Sequence, residues 1–211
     1  MSPAFLYFDL GNVLLYFSHR RAAAQMAKVA GVDEERVWQL IFAAQGEQRC
    51  LEDRCERGEL DARGLYDIFC SELGVQPDLA ALEHAGSDIF DCNFSMIPLL
   101  AQLKLAGHRL GILSNTSASH WQHVTRERFE VLNWFFERIV LSYQVGSMKP
   151  DAKIYEFAAE QAGMPPEQIF FVDDRPENVA GARAAGIDAV IYESTSQLAR
   201  DLMQRGIRCN W

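Results

Sequence analysis

Ala4-Phe5-Leu6-Tyr7-Phe8-Asp9-Leu10-Gly11 begins with five apolar or aromatic residues, stops at an acid and reaches a glycine two positions later. A run without polar alternation is what a strand covered on both faces requires. The signature returns downstream. Leu110-Gly111-Ile112-Leu113 ends at Ser114-Asn115-Thr116, Ile169-Phe170-Phe171-Val172 ends at Asp173-Asp174, and Ala189-Val190-Ile191-Tyr192 ends at Glu193-Ser194. A weaker run, Ile139-Val140-Leu141, ends at Ser142. Helical patterns lie between these runs. After Ser95, read as an N-cap, Ile97, Leu100 and Leu103 share a face and Gly107 terminates it. Asp151 to Ala162 carries Ile154, Phe157 and Ala158 at helical spacing before Gly163, and the alanine-rich Pro176–Ala185 stops at Gly186. Strands alternating with such helices predict βαβ units, hence an α/β fold with a parallel sheet.

Residues 18–94 read differently. They offer no strand-like run, and their helical patterns fall near Arg21–Ala30, Glu34–Ala44 and Ala62–Glu72, with turn signals at Gly31, Gly58 and Gly74. The expected organisation is a sheet-bearing core domain, residues 1–17 and 95–211, interrupted by an all-helical cap domain, residues 18–94.

Composition narrows the function classes. The 211 residues are 49% apolar and 23% charged, which excludes a disordered, collagen-like or disulfide-scaffold protein. Twenty Lys plus Arg against 29 Asp plus Glu give a formal charge of −9, with no basic run, so a nucleic-acid backbone is not the expected partner. No apolar stretch approaches the ~18–20 residues that cross a bilayer, and no membrane partner is expected. The opening residues lack a basic segment and meet Asp9 too early for a signal peptide. Cys50, Cys55, Cys70, Cys92 and Cys209 are an odd, scattered set; four residues separate Cys50 from Cys55, but no second pair or His cluster completes a zinc site. They read as reduced thiols, and a cytoplasmic location follows as the expectation.

Polar residues gather after the apolar runs: Asp9, Ser114-Asn115 and Asp173-Asp174. In a parallel sheet these positions share the carboxyl edge, where open α/β sheets bind ligands. Three carboxylates at one crevice repel one another unless a cation sits among them. Oxygen ligands without His or Cys call for a hard cation, with Mg²⁺ the first choice. Mg²⁺, a Ser hydroxyl, loop amides and a lysine bind phosphate. Lys149, in Gly146-Ser147-Met148-Lys149-Pro150, follows the weak strand and supplies the positive charge. A carboxylate so placed can attack phosphorus and form an aspartyl-phosphate.

These residues, in this order, resemble the motifs of the haloacid dehalogenase-like hydrolases over nearly the whole chain. The motifs are Phe8-Asp9-Leu10-Gly11-Asn12-Val13-Leu14, Leu113-Ser114-Asn115-Thr116, Lys149-Pro150 and Phe171-Val172-Asp173-Asp174-Arg175-Pro176-Glu177-Asn178. The Asp-Leu-Gly-Asn opening and the Ser142–Tyr155 stretch look most like the bacterial α-D-glucose-1-phosphate phosphatase branch. The resemblance implies a Rossmann-like sheet of order 5-4-1-2-3 with a helical cap inserted after the first motif. It makes Asp9 the nucleophile, with Ser114 and Lys149 completing the catalytic set. Gly11, Asn12, Ser114, Asn115 and Lys149 would bind phosphate. Asp9, Asp174, the Gly11 backbone carbonyl and Asp173, as ligand or orienter, would hold Mg²⁺, and Asn178 would support the acidic loop. The implied substrate is a small phosphorylated metabolite such as a sugar 1-phosphate, and the implied assembly is a monomer or homodimer.

One position departs from the family pattern. Most phosphatases of this family carry a second Asp two residues after the nucleophile, as general acid and base. Here that position is Gly11. General acid–base help is worth roughly 10²–10⁴ in rate, so water, the substrate or a cap residue must compensate, with His19 and Glu59 as candidates. Two other functions compete. In a dehalogenase the same Asp attacks carbon without a metal, and motif four usually carries small polar residues in place of Asp173-Asp174. A catalytically silent binding protein is the other reading that Gly11 motivates. His120 and His123, three apart, read as surface or lid residues. Trp121, Trp134, Phe135 and Phe136 read as packing, and Gly111 and Gly146 as ordinary glycines outside any dinucleotide fingerprint.

Overall fold

The computed structural model describes residues 2–44, 49–130 and 132–208. Cys209 lies outside them; Cys50, Cys55, Cys70 and Cys92 are free thiols. Among the described residues there are seven strands: β1 (Phe5–Phe8), β2 (Leu15–Phe17), β3 (Phe90–Cys92), β4 (Arg109–Ser114), β5 (Arg138–Leu141), β6 (Ile169–Asp173) and β7 (Asp188–Ile191). Five of them form one sheet in the order β5-β4-β1-β6-β7, and every neighbouring pair is parallel. Because β2 and β3 form a separate two-stranded sheet, counting just the strands of the five-stranded sheet along the chain turns this order into 3-2-1-4-5. Read from the other edge it is 5-4-1-2-3.

Alternation within the central strand sorts its side chains between two cores. Leu6 and Phe8 point to one face with Ile112, Phe170 and Val172, while Phe5 and Tyr7 point to the other with Leu113 and Phe171. The first face is covered by helices Met96–Leu105 and Thr195–Gln204, the second by Ala152–Ala162 and Pro176–Ala184. Gly111 is more than an ordinary glycine. A Cβ there would stand 2.5 Å from the Tyr7 ring and 2.7 Å from Phe5, so two aromatic rings of β1 fill the place of its missing side chain.

Helices His19–Ala30, Glu34–Ile41, Leu51–Glu56, Ala62–Leu73 and Leu79–Ser87 form a separate block. It has its own apolar cluster around Met26, Val37, Ile41, Phe69 and Leu82. Ser18, Asp33, Asp61 and Asp78 each accept a first-turn backbone N–H at a helix start, and Gly31 and Gly74 close two helices in the left-handed conformation. The block is not purely helical within residues 18–94. Phe90–Cys92 is a strand, antiparallel to Leu15–Phe17, where the chain leaves and re-enters the sheet layer. Three residues are too few to show a period, which is why this strand was invisible in the pattern.

Two further readings are corrected. His120 and His123 are buried, not on the surface. His120 Nε2 lies 3.3 Å from the Gly86 carbonyl, and the His123 ring packs edge-on against His84. Trp134 is 81% exposed, whereas Phe136 is buried and Trp121 and Phe135 pack partly against the core. No helix among the described residues is long and apolar enough to cross a membrane.

Candidate active site

The parallel register brings the ends of β1, β4 and β6 to one edge. Asp9 N–H donates to the Val172 carbonyl at 2.9 Å, extending the β1–β6 ladder by one residue. This fixes the direction of the Asp9 side chain, whose Oδ1 accepts the Leu10 N–H at 2.7 Å. Lys149 is the hub. Its Nζ lies 2.7 Å from Asp9 Oδ1 and 2.6 Å from Asp173 Oδ2, and donates to the Leu113 carbonyl at 3.0 Å. Its backbone is held on both sides by one side chain: Lys149 N–H donates to Asn115 Oδ1 at 2.8 Å, and Asn115 Nδ2 donates to the Lys149 carbonyl at 3.0 Å. Asn115, read as a phosphate contact, thus also locks the lysine loop.

Asp173 is fully buried and saturated. Oδ1 accepts from Arg175 N–H and Asn178 Nδ2, and Oδ2 accepts from Lys149 Nζ and Asn178 Nδ2. Three donors making four contacts on two oxygens suit the orienting half of its expected role better than the ligand half. Asp174 accepts one bond, from Asn12 Nδ2 at 2.9 Å. Asn12 adopts φ 54°, a left-handed turn that carries its side chain from motif one to motif four. Ser114 ends β4 fully buried, with its hydroxyl donating to the Asn115 carbonyl at 3.2 Å.

The electrostatics are lopsided. Asp9, Asp173 and Asp174 each bring a carboxylate oxygen within 4.8 Å of the others. Burial, only partly offset by Lys149 and reinforced by Asp173 and Asp174, pushes the Asp9 carboxyl up to about 8. Burial opposes charge on Lys149 too, but Asp173 and Asp9 outweigh it and hold the ammonium above its ordinary value. An all-oxygen cluster with unbalanced negative charge fits a hard divalent cation.

A cavity of about 200 Å³ opens over this edge. Asp9, Gly11, Asn12, Asn115, Lys149 and Asp174 line its core side. Phe17, His19, Phe42, Glu52, Asp53 and Glu56 line the other. At Gly11 a Cβ would meet Phe17 Cε1 at 2.7 Å, so an aromatic ring borders the place where the family's second Asp would stand. His19 lies between Phe17 and Phe42, with ring centroids 5.0 and 4.9 Å away. Burial holds His19 down at about 4, so it is neutral near pH 7.

A family model for haloacid dehalogenase-like hydrolases matches residues 6–186. The chain belongs to the haloacid dehalogenase-like hydrolases. Within that family it is 36% identical over 189 residues to an (S)-2-haloacid dehalogenase of Pseudomonas putida, covering 86% of this chain and 80% of that one. It is 29% identical to a glyceraldehyde 3-phosphate phosphatase of Methanopyrus kandleri, over 59% of this chain and 56% of that one. The chain thus spans about half the length of the glyceraldehyde 3-phosphate phosphatases it matches. Among solved structures, a haloacid dehalogenase family enzyme of Bacteroides thetaiotaomicron in a magnesium complex superposes with a TM-score of 0.79. It is 26% identical, and the match covers 95% of this chain and 100% of that one. The same enzyme with magnesium and inorganic phosphate gives 0.77 at 25% identity, covering 93% and 98%.

Of the two candidate substitutes for the missing family Asp, His19 lines the cavity of this hydrolase. Glu59 is exposed and lies 3.3 Å from Arg49, outside the cavity lining. Sequence reasoning passed over Glu52, Asp53 and Glu56. Their helix is only six residues long, too short to register as a periodic pattern, although three acids within Leu51–Glu56 were a signal.

Proposed function

We propose that this hydrolase is a Mg²⁺-dependent phosphomonoesterase acting through a phosphoaspartate at Asp9. The observation that carries the reading is Lys149 held between Asp9 and the buried Asp173, with Asp9, Lys149 and Asp174 lining one cavity at the sheet edge. Asp9 is the nucleophile, fixed by Lys149 and the Leu10 N–H. Lys149 steadies the attacking carboxylate and the phosphoryl charge. Asn115 keeps the lysine in place, and Ser114 serves the phosphate once its hydroxyl turns from the Asn115 carbonyl. Asp9, Asp174 and the Gly11 carbonyl would hold the ion, with Asp173 and Asn178 positioning the loop. Bound there, Mg²⁺ shields the incoming phosphate from Asp9 and polarises its oxygens. Residues 18–94 act as the cap that excludes water and selects the leaving group. A cavity of about 200 Å³ suits a small metabolite, and a sugar 1-phosphate is the substrate to try first.

The test is phosphate release from p-nitrophenyl phosphate and a panel of small phosphate esters. EDTA should abolish it and Mg²⁺ should restore it. Asp9→Asn should fold like the parent and retain under a few per cent of its activity. Activity indifferent to chelation, or surviving in Asp9→Asn, sinks the reading.

The 36% identity to a haloacid dehalogenase over most of the chain favours a second reading. There Asp9 attacks the carbon that bears the halogen, and no divalent ion is needed. Halide release from 2-haloacids in EDTA, with no phosphatase activity, would select it.

A further inference from the structure

We propose that Glu56, carried over the sheet edge by the helix Leu51–Glu56, is the general acid and base of the reaction, taking the role that position 11 cannot fill. The inference rests on the phosphatase reading of the site. Three observations lead to it. Gly11 offers no side chain, and Phe17 obstructs one there. Glu56 lines the same cavity as Asp9 and Lys149. The stretch around Glu56 is clamped to the core on its C-terminal side. Arg57 Nη1 donates to Asp151 Oδ2 at 3.0 Å, and Gly58 lies so close to Tyr143 that a Cβ would stand 2.3 Å from its carbonyl oxygen. Residues 57 and 58 thus hold Glu56 in a fixed place above the chemistry.

Charge separates Glu56 from its neighbours. Glu52 approaches His120 Nδ1 at 3.4 Å and also lines a second, mostly apolar cavity of about 70 Å³ between the helical block and residues 117–120 of the core. Asp53 is the acid whose charge acts on His19. Lys149 and Arg175, which line the same cavity, act on Glu56. Burial first, then the charges of Glu52 and Asp53, lift its carboxyl to about 8, with Lys149 and Arg175 opposing. Near neutrality it carries a proton to donate.

The steps balance. Asp9, which Lys149 and a cation bound at the carboxylate cluster would hold ionised, attacks phosphorus as the bond from phosphorus to the ester oxygen breaks. The departing oxygen takes the Glu56 proton and leaves as an alcohol, and Glu56 becomes a carboxylate. Water then attacks the phosphorus of the phosphoaspartate and gives its proton to Glu56. The bond to Asp9 breaks, inorganic phosphate departs, and both side chains return to their starting states.

A leaving-group series at fixed Mg²⁺ tests this. For Glu56→Gln, kcat/KM on alkyl phosphates, which reports phosphoryl transfer to Asp9, should fall about 10²–10⁴-fold. On p-nitrophenyl phosphate, whose leaving oxygen needs no proton, kcat/KM should fall under about threefold, while kcat falls because water attack on the phosphoaspartate has lost its base. The plot of log kcat/KM against leaving-group pKa should therefore steepen. Glu56→Asp, which keeps the carboxyl but shortens its reach, should recover part of the slope; it also serves if the Gln variant fails to fold. A uniform loss of kcat/KM across the series, no loss, or a steepened slope in Asp53→Asn or Glu52→Gln instead would overturn the proposal. If the parent hydrolyses no phosphate ester, the phosphatase reading itself falls, and this inference with it.

Discussion

Lys149 shows how far single residues could be read in the sequence. A lysine before a proline, after a weak strand, was legible as a candidate, and the structure gives it two carboxylates and a carbonyl. Asp9, Asp173 and Asp174 were legible for the same reason, because each ends an apolar run. The contact between Gly11 and Phe17 was not. It joins positions six apart through the fold of the β2–β3 pair, which no periodicity reports. It has a measurable consequence. The Phe17 ring packs against His19 on one side and Phe90 on another, with centroids 5.0 and 6.2 Å away, so it cannot swing clear without cost. Restoring the family acid by Gly11→Asp should lower stability by ~1–3 kcal/mol, the usual cost of overpacking, without raising phosphatase activity. Adding Phe17→Ala should relieve the clash. Urea midpoints for the single and double variants check this; a Gly11→Asp protein as stable as the parent would show that Phe17 is no obstacle.

The five sheet strands were legible as elements because burial on both faces removes polar residues from them. The long helices were legible because their caps are local: Asp33 and Asp61 at starts, Gly31 and Gly163 at ends. Short elements escaped, and the helix Leu51–Glu56 matters most among them. Its Glu52 and Glu56, one turn apart, share a face. Burial first, then Asp53, raises Glu52 to about 7, and Glu56 is raised to about 8. The folded protein therefore keeps protons that the unfolded chain releases near pH 4.5. Stability from these groups is full below that pH and is lost as pH rises through 7 to 8. His19 and His120, buried and held down at about 4, work in the opposite sense but only below their unfolded value of 6.5. The window from pH 6.5 to 8.5 thus isolates the carboxyls. In metal-free protein the urea midpoint should fall across it, and Glu52→Gln should flatten part of that fall. A slope identical in parent and variant would place the Glu52 titration elsewhere.

The molecule as a whole is a sheet core with a helical block set on its carboxyl edge, and the block touches the core on two sides. On one side Glu83 accepts from the Ser119 hydroxyl at 2.6 Å and the Gly86 carbonyl meets His120. On the other stand the Arg57–Asp151 pair and Gly58 against Tyr143. The change in pattern near residue 18 was visible in the sequence; the docking points were not, since each is a contact between distant segments. Gly58 tests the docking. Its φ is 72°, a region that costs a side-chain-bearing residue ~1–3 kcal/mol, and a Cβ would also collide with backbone at Tyr143. Gly31 has nearly the same φ, 69°, but nothing within 4 Å of where its Cβ would stand. Gly31→Ala should therefore lose stability through backbone strain alone and keep its kinetics. Gly58→Ala must in addition lift residues 51–58 from the core, opening the cavity to water and moving Glu56 away from the leaving oxygen. It should raise KM and lower kcat, most strongly on alkyl phosphates. Paired urea melts and kinetics separate the two effects: equal stability losses with equally intact kinetics would mean that the approach at Tyr143 does not set the position of the cap.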